Sequence, residues 1–364
     1  MACRAPYASI IWLNYNSYNI RGIVKMSLRS VLRLDYPCYE VIIVDNASTD
    51  GSWELINKWL EELGVRRGVR VKRLRLSKNY GFVGGNNLAY RFISSRSKYV
   101  VLLNNDAIAL RDSLRIMVEF MERDHSLGAA QGVILRPGLS VDSAGAYITE
   151  FIASLHAYSG CQASKVKRPF YATYASGAYS IYRVKALHRA GLIDRLFDWE
   201  FFAYHDDNVL GLRLWQSGYK VVVIPYVTAI HVGNATFGRY TFRRLYHSVL
   251  SMIALNEAAN SRFKGLNRIL ILLYALRSSI ISLATGGASQ GQSPIKGFIN
   301  GLRIAARKRE RIDLYRAPIP RYPPWVMVLS IVARRLLERH LIKMNPQLTF
   351  RYSQPFTRTN CSSM

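Results

Sequence analysis

Carboxylates, amides and glycines recur where the apolar runs of this sequence stop, and their chemistry needs explaining first. "VIIVDNASTDGS" ends an apolar run on Asp45 and Asn46, and "YVVLLNNDAIAL" ends one on Asn104, Asn105 and Asp106, of which only the last is charged. "LSKNYGFVGGNN" brings three glycines and three asparagines together. Backbone N–H groups in such a loop can approach an anion, and a helix start favours negative charge, although the spacing fits neither G-x-G-x-x-G nor the P-loop. "FFAYHDDNVLG" sets Asp206 beside Asp207 after two phenylalanines. A carboxylate in a partly desolvated pocket can have its pKa raised enough to take a proton from a hydroxyl, as a general base must. Taken singly, each feature has a plainer reading: a turn cap for Asp45, a structural turn for the glycine loop, and a helix N-cap pair for Asp206 and Asp207. A packed or surface side chain would equally explain His231, at the end of "VVVIPYVTAIH".

Elements able to position these residues are visible in the periodicity. Through residue 110, "SIIWL", "EVIIVD", "VRVKRLRL" and "YVVLLN" alternate with the amphipathic segments "IRGIVKMSLRSVLRL" and "SWELINKWLEEL". Ile20, Ile23, Val24, Leu28, Val31 and Leu32 recur at three and four residues, a helical spacing that "DYP" stops, while Ser52 is placed to cap the second helix. The strand runs are nearly continuous in apolar residues, as parallel strands covered on both faces are. This predicts an α/β fold with a Rossmann-like, mostly parallel sheet, whose ligand lies beyond the carboxyl ends of the strands. Four such ends are polar: 14–16, 45–46, 77–79 and 104–106. A helix from residue 111 to about 124 follows, then antiparallel β structure in "VDSAGAYITEF" and "YATYASGAYSIY" with small residues lining a cavity.

Half of the 364 residues are apolar, enough for a substantial core without covalent staples. The four cysteines show neither a CxxC pair nor a zinc spacing, so neither a metal knuckle nor a disulfide framework is expected, and a reducing compartment is. The N-terminal apolar run lacks a signal-peptide layout, which favours a cytoplasmic protein. A net charge of +27 would attract any polyanion. Residues 240–364 hold 20 of the 50 basic residues and only 4 of the 23 acidic ones, which divides the chain into a region 1–238 and a basic helical region 239–364. Within the latter, residues 268–285 and 323–344 are apolar but carry arginines, so they are expected to lie in a membrane interface rather than to cross it, or else to be ordinary core helices.

Read in order, "SIIWLNYN", "VIIVDNASTDGS", "LSKNYGFVGGNN", "YVVLLNNDA", "ASGAYSIYRVKALHRAGLID", "FFAYHDDNVLGLRLWQSGYK" and "AIHVGNA" resemble the family 2 glycosyltransferases over about residues 9–236, especially the rhamnosyl- and galactofuranosyltransferase-like branch. The resemblance implies a GT-A fold, with 1–110 as nucleotide-binding half and 111–238 as acceptor-binding half, and inverting sugar transfer from a nucleoside diphosphate sugar, UDP- or dTDP-linked. It puts Asn14, Asn16, Asp45, Asn46, Asn79, Gly81, Asn86 and Asn105 around the donor nucleotide, with Asp45 accepting from a pyrimidine N3–H. Asp106, with His231 and the neutral Asn104, would hold Mg²⁺ or Mn²⁺ against the diphosphate. Asp207 would be the base, beside Asp206, and Ser176, Gly177, Ala178, Trp199 and Arg213 would face the acceptor. The chain departs from the family pattern at Asn104, where an acid is usual, at Asp206, where Glu is commoner, and at Val209, often acidic, which implies altered acceptor recognition. The implied acceptor is a glycan or a lipid-linked saccharide, reached by an enzyme peripheral on the inner face of the cell membrane and held to anionic lipid by its basic helices.

Two other functions fit parts of the same sequence. A sugar-phosphate nucleotidyltransferase also uses a nucleotide-binding α/β half with metal-bound carboxylates, but needs a Gly- and basic-rich loop after the first strand, where "NYNSYN" stands. A nucleic-acid binder would use the +27 charge through phosphate contacts, but no recognised nucleic-acid motif accompanies it.

Overall fold

The computed structural model describes residues 4–66, 68–197, 204–233, 242–284, 293–307, 311–322 and 325. In chain order these form β1 (Tyr7–Asn14), α1 (Arg21–Leu32), β2 (Tyr39–Asp45), α2 (Ser52–Leu63), β3 (Arg70–Arg75), α3 (Gly81–Tyr90), β4 (Ser97–Asn104) and β5 (Ala107–Ala109). There follow α4 (Ser113–Arg123), β6 (Leu127–Leu135), β7 (Val141–Ser143), β8 (Ala146–Ile148), β9 (Ser154–His156), β10 (Phe170–Tyr171), β11 (Tyr179–Arg183) and α5 (Val184–Arg189). The last are α6 (Asp206–Gln216), β12 (Lys220–His231), α7 (Phe242–Ala258), α8 (Lys264–Ala284) and α9 (Pro294–Arg307).

One sheet runs in the order β10-β12-β6-β11-β4-β1-β2-β3. The β4-β1-β2-β3 half is parallel, as the continuous apolar runs predicted, and β11 lies antiparallel between β4 and β6. Alternation across each strand divides the core. Ile10, Trp12, Val41, Ile43, Val101 and Leu103 face α1, α2 and α4 on one side. Ile11, Ile42, Val44, Val100 and Leu102 face α3, α5, α6 and α7 on the other. Trp12 is fully buried and its Nε1–H donates to Ser27 Oγ of α1 at 2.9 Å, so its polar end is satisfied inside the core. The same Ser27 hydroxyl donates to the Asn104 carbonyl at 3.3 Å, tying α1 to the end of β4.

Two expectations change. Ser52 is the first residue of α2 rather than its cap; Gly51 holds the cap position at φ 82°, and Asp50 Oδ1 accepts from Ser52 N. Cys38 is disulfide-bonded, where no disulfide framework was expected. Among the described residues no helix is long and apolar enough to cross a membrane. Residues 326–344 of the second apolar segment lie outside the described residues.

Candidate active site

The carboxyl ends of β4, β1 and β2 reach one sheet edge because the register pairs Leu13 with Asn104 and Asn14 with Asp45. They floor a cavity of about 430 Å³, closed by β9, the 174–178 segment, the start of α6, His231 and the start of α7.

Asn14 organises the floor from beneath. Its Nδ2 donates to Asp45 Oδ1 (3.0 Å), Ser48 Oγ (3.1 Å) and Ser52 Oγ (3.2 Å), and its Oδ1 accepts from Ser17 Oγ (2.5 Å) and Asn105 Nδ2 (3.1 Å). Asp45 Oδ2 accepts from Ser48 N at 3.0 Å and lies 3.5 Å from Arg75 Nε. Asn14 and Asp45 are fully buried, and neither they nor Asn16 and Asn86 line the cavity. Asn16 Oδ1 instead accepts from Thr49 N, and Asn86 Nδ2 donates to Phe82 O within α3. Of the residues expected at the donor nucleotide, Asn46, Asn79, Gly81 and Asn105 are the ones that line it. Asn46 Nδ2 donates to Asn79 Oδ1 and to Gly81 O, both at 3.0 Å, while Asn46 Oδ1 accepts from Tyr80 N. The glycine loop is thereby closed onto β2, and Gly81 enters α3 at φ 74°, a conformation costly for a residue with a Cβ.

Asp206 and Asp207 open α6 after Tyr204 and His205, both left-handed at φ 75° and 59°. Such backbone costs on the order of 1 kcal/mol or more per residue and persists because its surroundings hold it. Asp207 Oδ2 accepts from Gly177 N at 2.8 Å, and Oδ1 has no hydrogen-bond partner among the described residues. Burial first, then the adjacent Asp206 charge, pushes the Asp207 carboxyl well above the ordinary carboxylate range, against the Gly177 N–H. Burial also raises Asp206, to about 6. Gly177 permits the approach: a Cβ there would stand 2.9 Å from Asp207 Oδ1 and 3.1 Å from the Phe82 ring. Ser176 is held by its N–H on Gln131 Oε1 at 2.7 Å, and with Gly177 and Ala178 it lines the cavity as expected. Gly211 lets α6 cross the 173–174 backbone, since a Cβ would collide with the Thr173 carbonyl and Tyr174. Gly211→Val is accordingly expected to destabilise the fold by roughly 1–3 kcal/mol or more through overpacking, read as a lower denaturation midpoint with an unchanged slope.

Asp106 and His231, grouped by the family resemblance, are in contact. Antiparallel pairing of β5 with β12 sets His231 opposite Ala107, and His231 Nε2 lies 3.2 Å from Asp106 Oδ1. On the other side, His231 Nδ1 lies 2.9 Å from Asp142 Oδ2, and Asp142 Oδ1 accepts from Arg136 Nε at 3.1 Å. Burial works against a charged imidazole, but hydrogen bonds and charge from Asp106 and Asp142 outweigh it and hold its pKa up at about 9. Asn104 lines the same cavity. Among the described residues no three His, Cys, Asp or Glu side chains are grouped to hold a metal ion unaided.

Asp142, Arg244 and Ser248 carry no motif and escaped sequence reasoning; Asp142 is 89 residues from its partner, and Arg244 and Ser248 enter the wall from α7. Arg213 lies on α6 outside the lining, and Trp199 lies outside the described residues.

The model of the glycosyl transferase family 2 domain matches residues 9–191, which include the floor strands and the 174–178 wall. The poly-beta-1,6-N-acetyl-D-glucosamine synthase of Staphylococcus aureus is 27% identical over 210 residues, 57% of this chain and 46% of that protein. The UDP-Glc:alpha-D-GlcNAc-diphosphoundecaprenol beta-1,3-glucosyltransferase WfaP of Escherichia coli is 26% identical over 111 residues, 30% of this chain and 39% of that protein. This chain thus matches less than half the length of either relative. Among solved structures, the mannosyltransferase PcManGT of Pyrobaculum calidifontis, in complex with GDP-Man and Mn²⁺, superimposes with a TM-score of 0.51 at 19% identity, over 93% of this chain and 84% of that one. The architecture is the GT-A fold. With the family model covering half of its length, including the strands that floor the cavity, this chain belongs to glycosyl transferase family 2.

Proposed function

We propose that the chain is an inverting glycosyltransferase of the rhamnosyl- and galactofuranosyltransferase-like branch, moving a sugar from a UDP- or dTDP-sugar to a hydroxyl of a lipid-linked saccharide, glycolipid or polysaccharide. The carrying observation is Asp207: a buried carboxylate of raised pKa, fixed through one oxygen and unpartnered at the other, in the cavity that also holds Asp106 and His231. Asp207 Oδ1 takes the proton of the acceptor hydroxyl as that oxygen bonds to the anomeric carbon, and the bond from that carbon to the diphosphate oxygen breaks. Displacement from the opposite face inverts the anomeric configuration. The nucleotide occupies the Asn46, Asn79, Gly81 and Asn105 side, with Asn14 and Asp45 bracing it from below, and the acceptor occupies the Ser176 to Ala178 side.

Asp106, His231 and Asn104 suit Mg²⁺ or Mn²⁺, being oxygen and imidazole donors, with phosphate and water left to complete the shell. Such an ion, when bound, neutralises charge on the departing diphosphate. Asp142 contributes by accepting Nδ1–H, which leaves the Nε2 lone pair for the ion. Asp142→Asn is expected to weaken Mn²⁺ binding in the presence of UDP by roughly 10–100-fold, read by calorimetry. The basic C-terminal helices keep the enzyme at the inner face of the cell membrane.

The deciding experiment incubates the protein with a panel of nucleotide sugars, Mn²⁺ and candidate acceptors, and reads nucleoside diphosphate release and the anomeric configuration of the product by NMR. An inverted product and loss of release in chelator are expected; a retained configuration, or full activity in chelator, would overturn the assignment.

A further inference from the structure

The helix α8 is built inside out for a protein surrounded by water. Along α8, Leu266, Ile269, Leu273, Leu276 and Ile280 recur at three and four residues, and all are exposed, Ile269 by 58%, Leu273 by 55% and Ile280 by 66%. The buried side of the same helix carries Asn267, Ala275, Ser278 and Ser279 beside Ile271. A helix of a water-soluble protein shows the reverse arrangement. Asn267 Nδ2 donates inside the bundle to Glu150 O and Asn256 Oδ1, both at 2.9 Å, while its buried Oδ1 has no hydrogen-bond partner among the described residues. On α9, Gly297 and Gly301, four residues apart, are pressed against α7: a Cβ at Gly297 would meet the Tyr246 carbonyl at 2.5 Å, and one at Gly301 the Leu250 carbonyl at 2.5 Å. Small residues at the helix contacts, polar groups paired within and leucines without are how helices pack when lipid is the solvent.

We infer that the exposed face of α8 docks on a bilayer bearing anionic headgroups, lying in its interface rather than crossing it. Charge selects this occupant over a second copy of the chain. Neither α8 nor α9 contains an acidic residue, while Lys264, Arg268, Arg277, Lys296, Arg303 and Arg307 belong to them. Arg268 is paired with Glu257, but a second copy would still bring like charge against like, whereas anionic lipid is attracted at about 1 kcal/mol per basic residue near the surface. Leu272 and Tyr274 widen the exposed apolar face beyond the narrow seam that a helix pair needs. With 21 residues, α8 extends about 30 Å along the surface. The consequence for the active site runs through α7, whose first turns supply Arg244 and Ser248 to the cavity and, at Tyr246 and Leu250, pack α9. The docking face rests on the reading that the basic C-terminal helices hold the enzyme at a membrane, and it identifies α8 as the helix that does so.

The test is flotation of the full-length protein with vesicles of phosphatidylcholine alone or mixed with about one third phosphatidylglycerol. Wild type is expected to float with the anionic vesicles. The double substitution Ile269→Glu with Leu273→Glu changes only exposed side chains and should lower the bound fraction at least roughly tenfold without lowering the melting temperature. In Leu273→Trp, indole emission should shift to the blue and be quenched by brominated acyl chains. Asp207→Asn should float like wild type, so failure of the catalytic assignment and failure of the docking face are separable. Wild type that stays at the bottom of the gradient, a double variant that floats equally well, or a wild-type dimer that the double variant converts to monomer without vesicle binding in either, would each overturn the proposal.

Discussion

Asp207→Asn is expected to lower glycosyl transfer by roughly 10²–10⁴-fold while nucleotide binding stays within about twofold of wild type. The amide keeps the shape and can still accept the Gly177 N–H, but it cannot take up the acceptor proton. The same substitution should stabilise the folded protein at neutral and alkaline pH. Burial raises the Asp207 carboxyl, and Asp206 is raised to about 6, so between the ordinary carboxylate pKa and these higher values the folded state holds protons that the unfolded chain has released. Stability therefore falls as pH rises through that window, and removing one carboxyl relieves the loss. The gain should show at pH 8 as a rise in Tm and be absent near pH 3. Parallel pH series of Tm and transfer rate check both halves: a variant that is no more stable at pH 8, or that transfers at the wild-type rate, contradicts the account of Asp207.

Asp106→Ala is the second large effect. It removes a carboxylate held 3.2 Å from His231 Nε2, and with it the one charged oxygen donor proposed for the ion. Mn²⁺ binding in the presence of UDP should weaken by more than the loss expected for Asp142→Asn, and transfer should fall with it. Stability should respond in the direction set by His231, whose folded pKa of about 9 stands above its ordinary 6.5. A group raised in this way stabilises fully below about pH 6.5, and its contribution is lost as pH rises through about 9. The deficit of Asp106→Ala should therefore be greatest near pH 6, on the order of 1 kcal/mol because Asp142 still partners the ring, and should shrink towards pH 10. Chemical denaturation at three pH values measures it; a deficit independent of pH would mean that the pair does not carry the charge assigned to it.

Local chemistry made much of the fold legible in the residues. Apolar runs at β1, β2 and β4, helical spacing in α1 and the breaker at "DYP" act within a few residues of themselves, so they survive in a one-dimensional reading. Asp207 and the Asp106–His231 pair were put in one site by the family resemblance; the start of α6 and the antiparallel pairing of β5 with β12 bring them to the same cavity. The Ser52 cap failed for a physical reason: Gly51 takes the left-handed position, and the Ser52 hydroxyl turns inward to accept from Asn14.

Residue type and order were enough to reveal the alternation of strands and helices, the polar strand ends and the basic character of the last third. Depth and partnership were not readable in that way. Asn14 and Asp45 look like ligand contacts in one dimension, yet parallel register buries them under the floor, where their hydrogen bonds are spent on each other and on Ser48. Asp142 meets His231 only because β7 and β12 both pair with β6, and Arg244 reaches the cavity only because α7 folds back over the sheet. The inverted face of α8 is a property of contacts as well: in the sequence the same leucines fit a membrane interface or a core alike, and the inward-facing Asn267, Ser278 and Ser279 show which side they take. Periodicity says which residues share a face; packing over long sequence separations sets what that face meets.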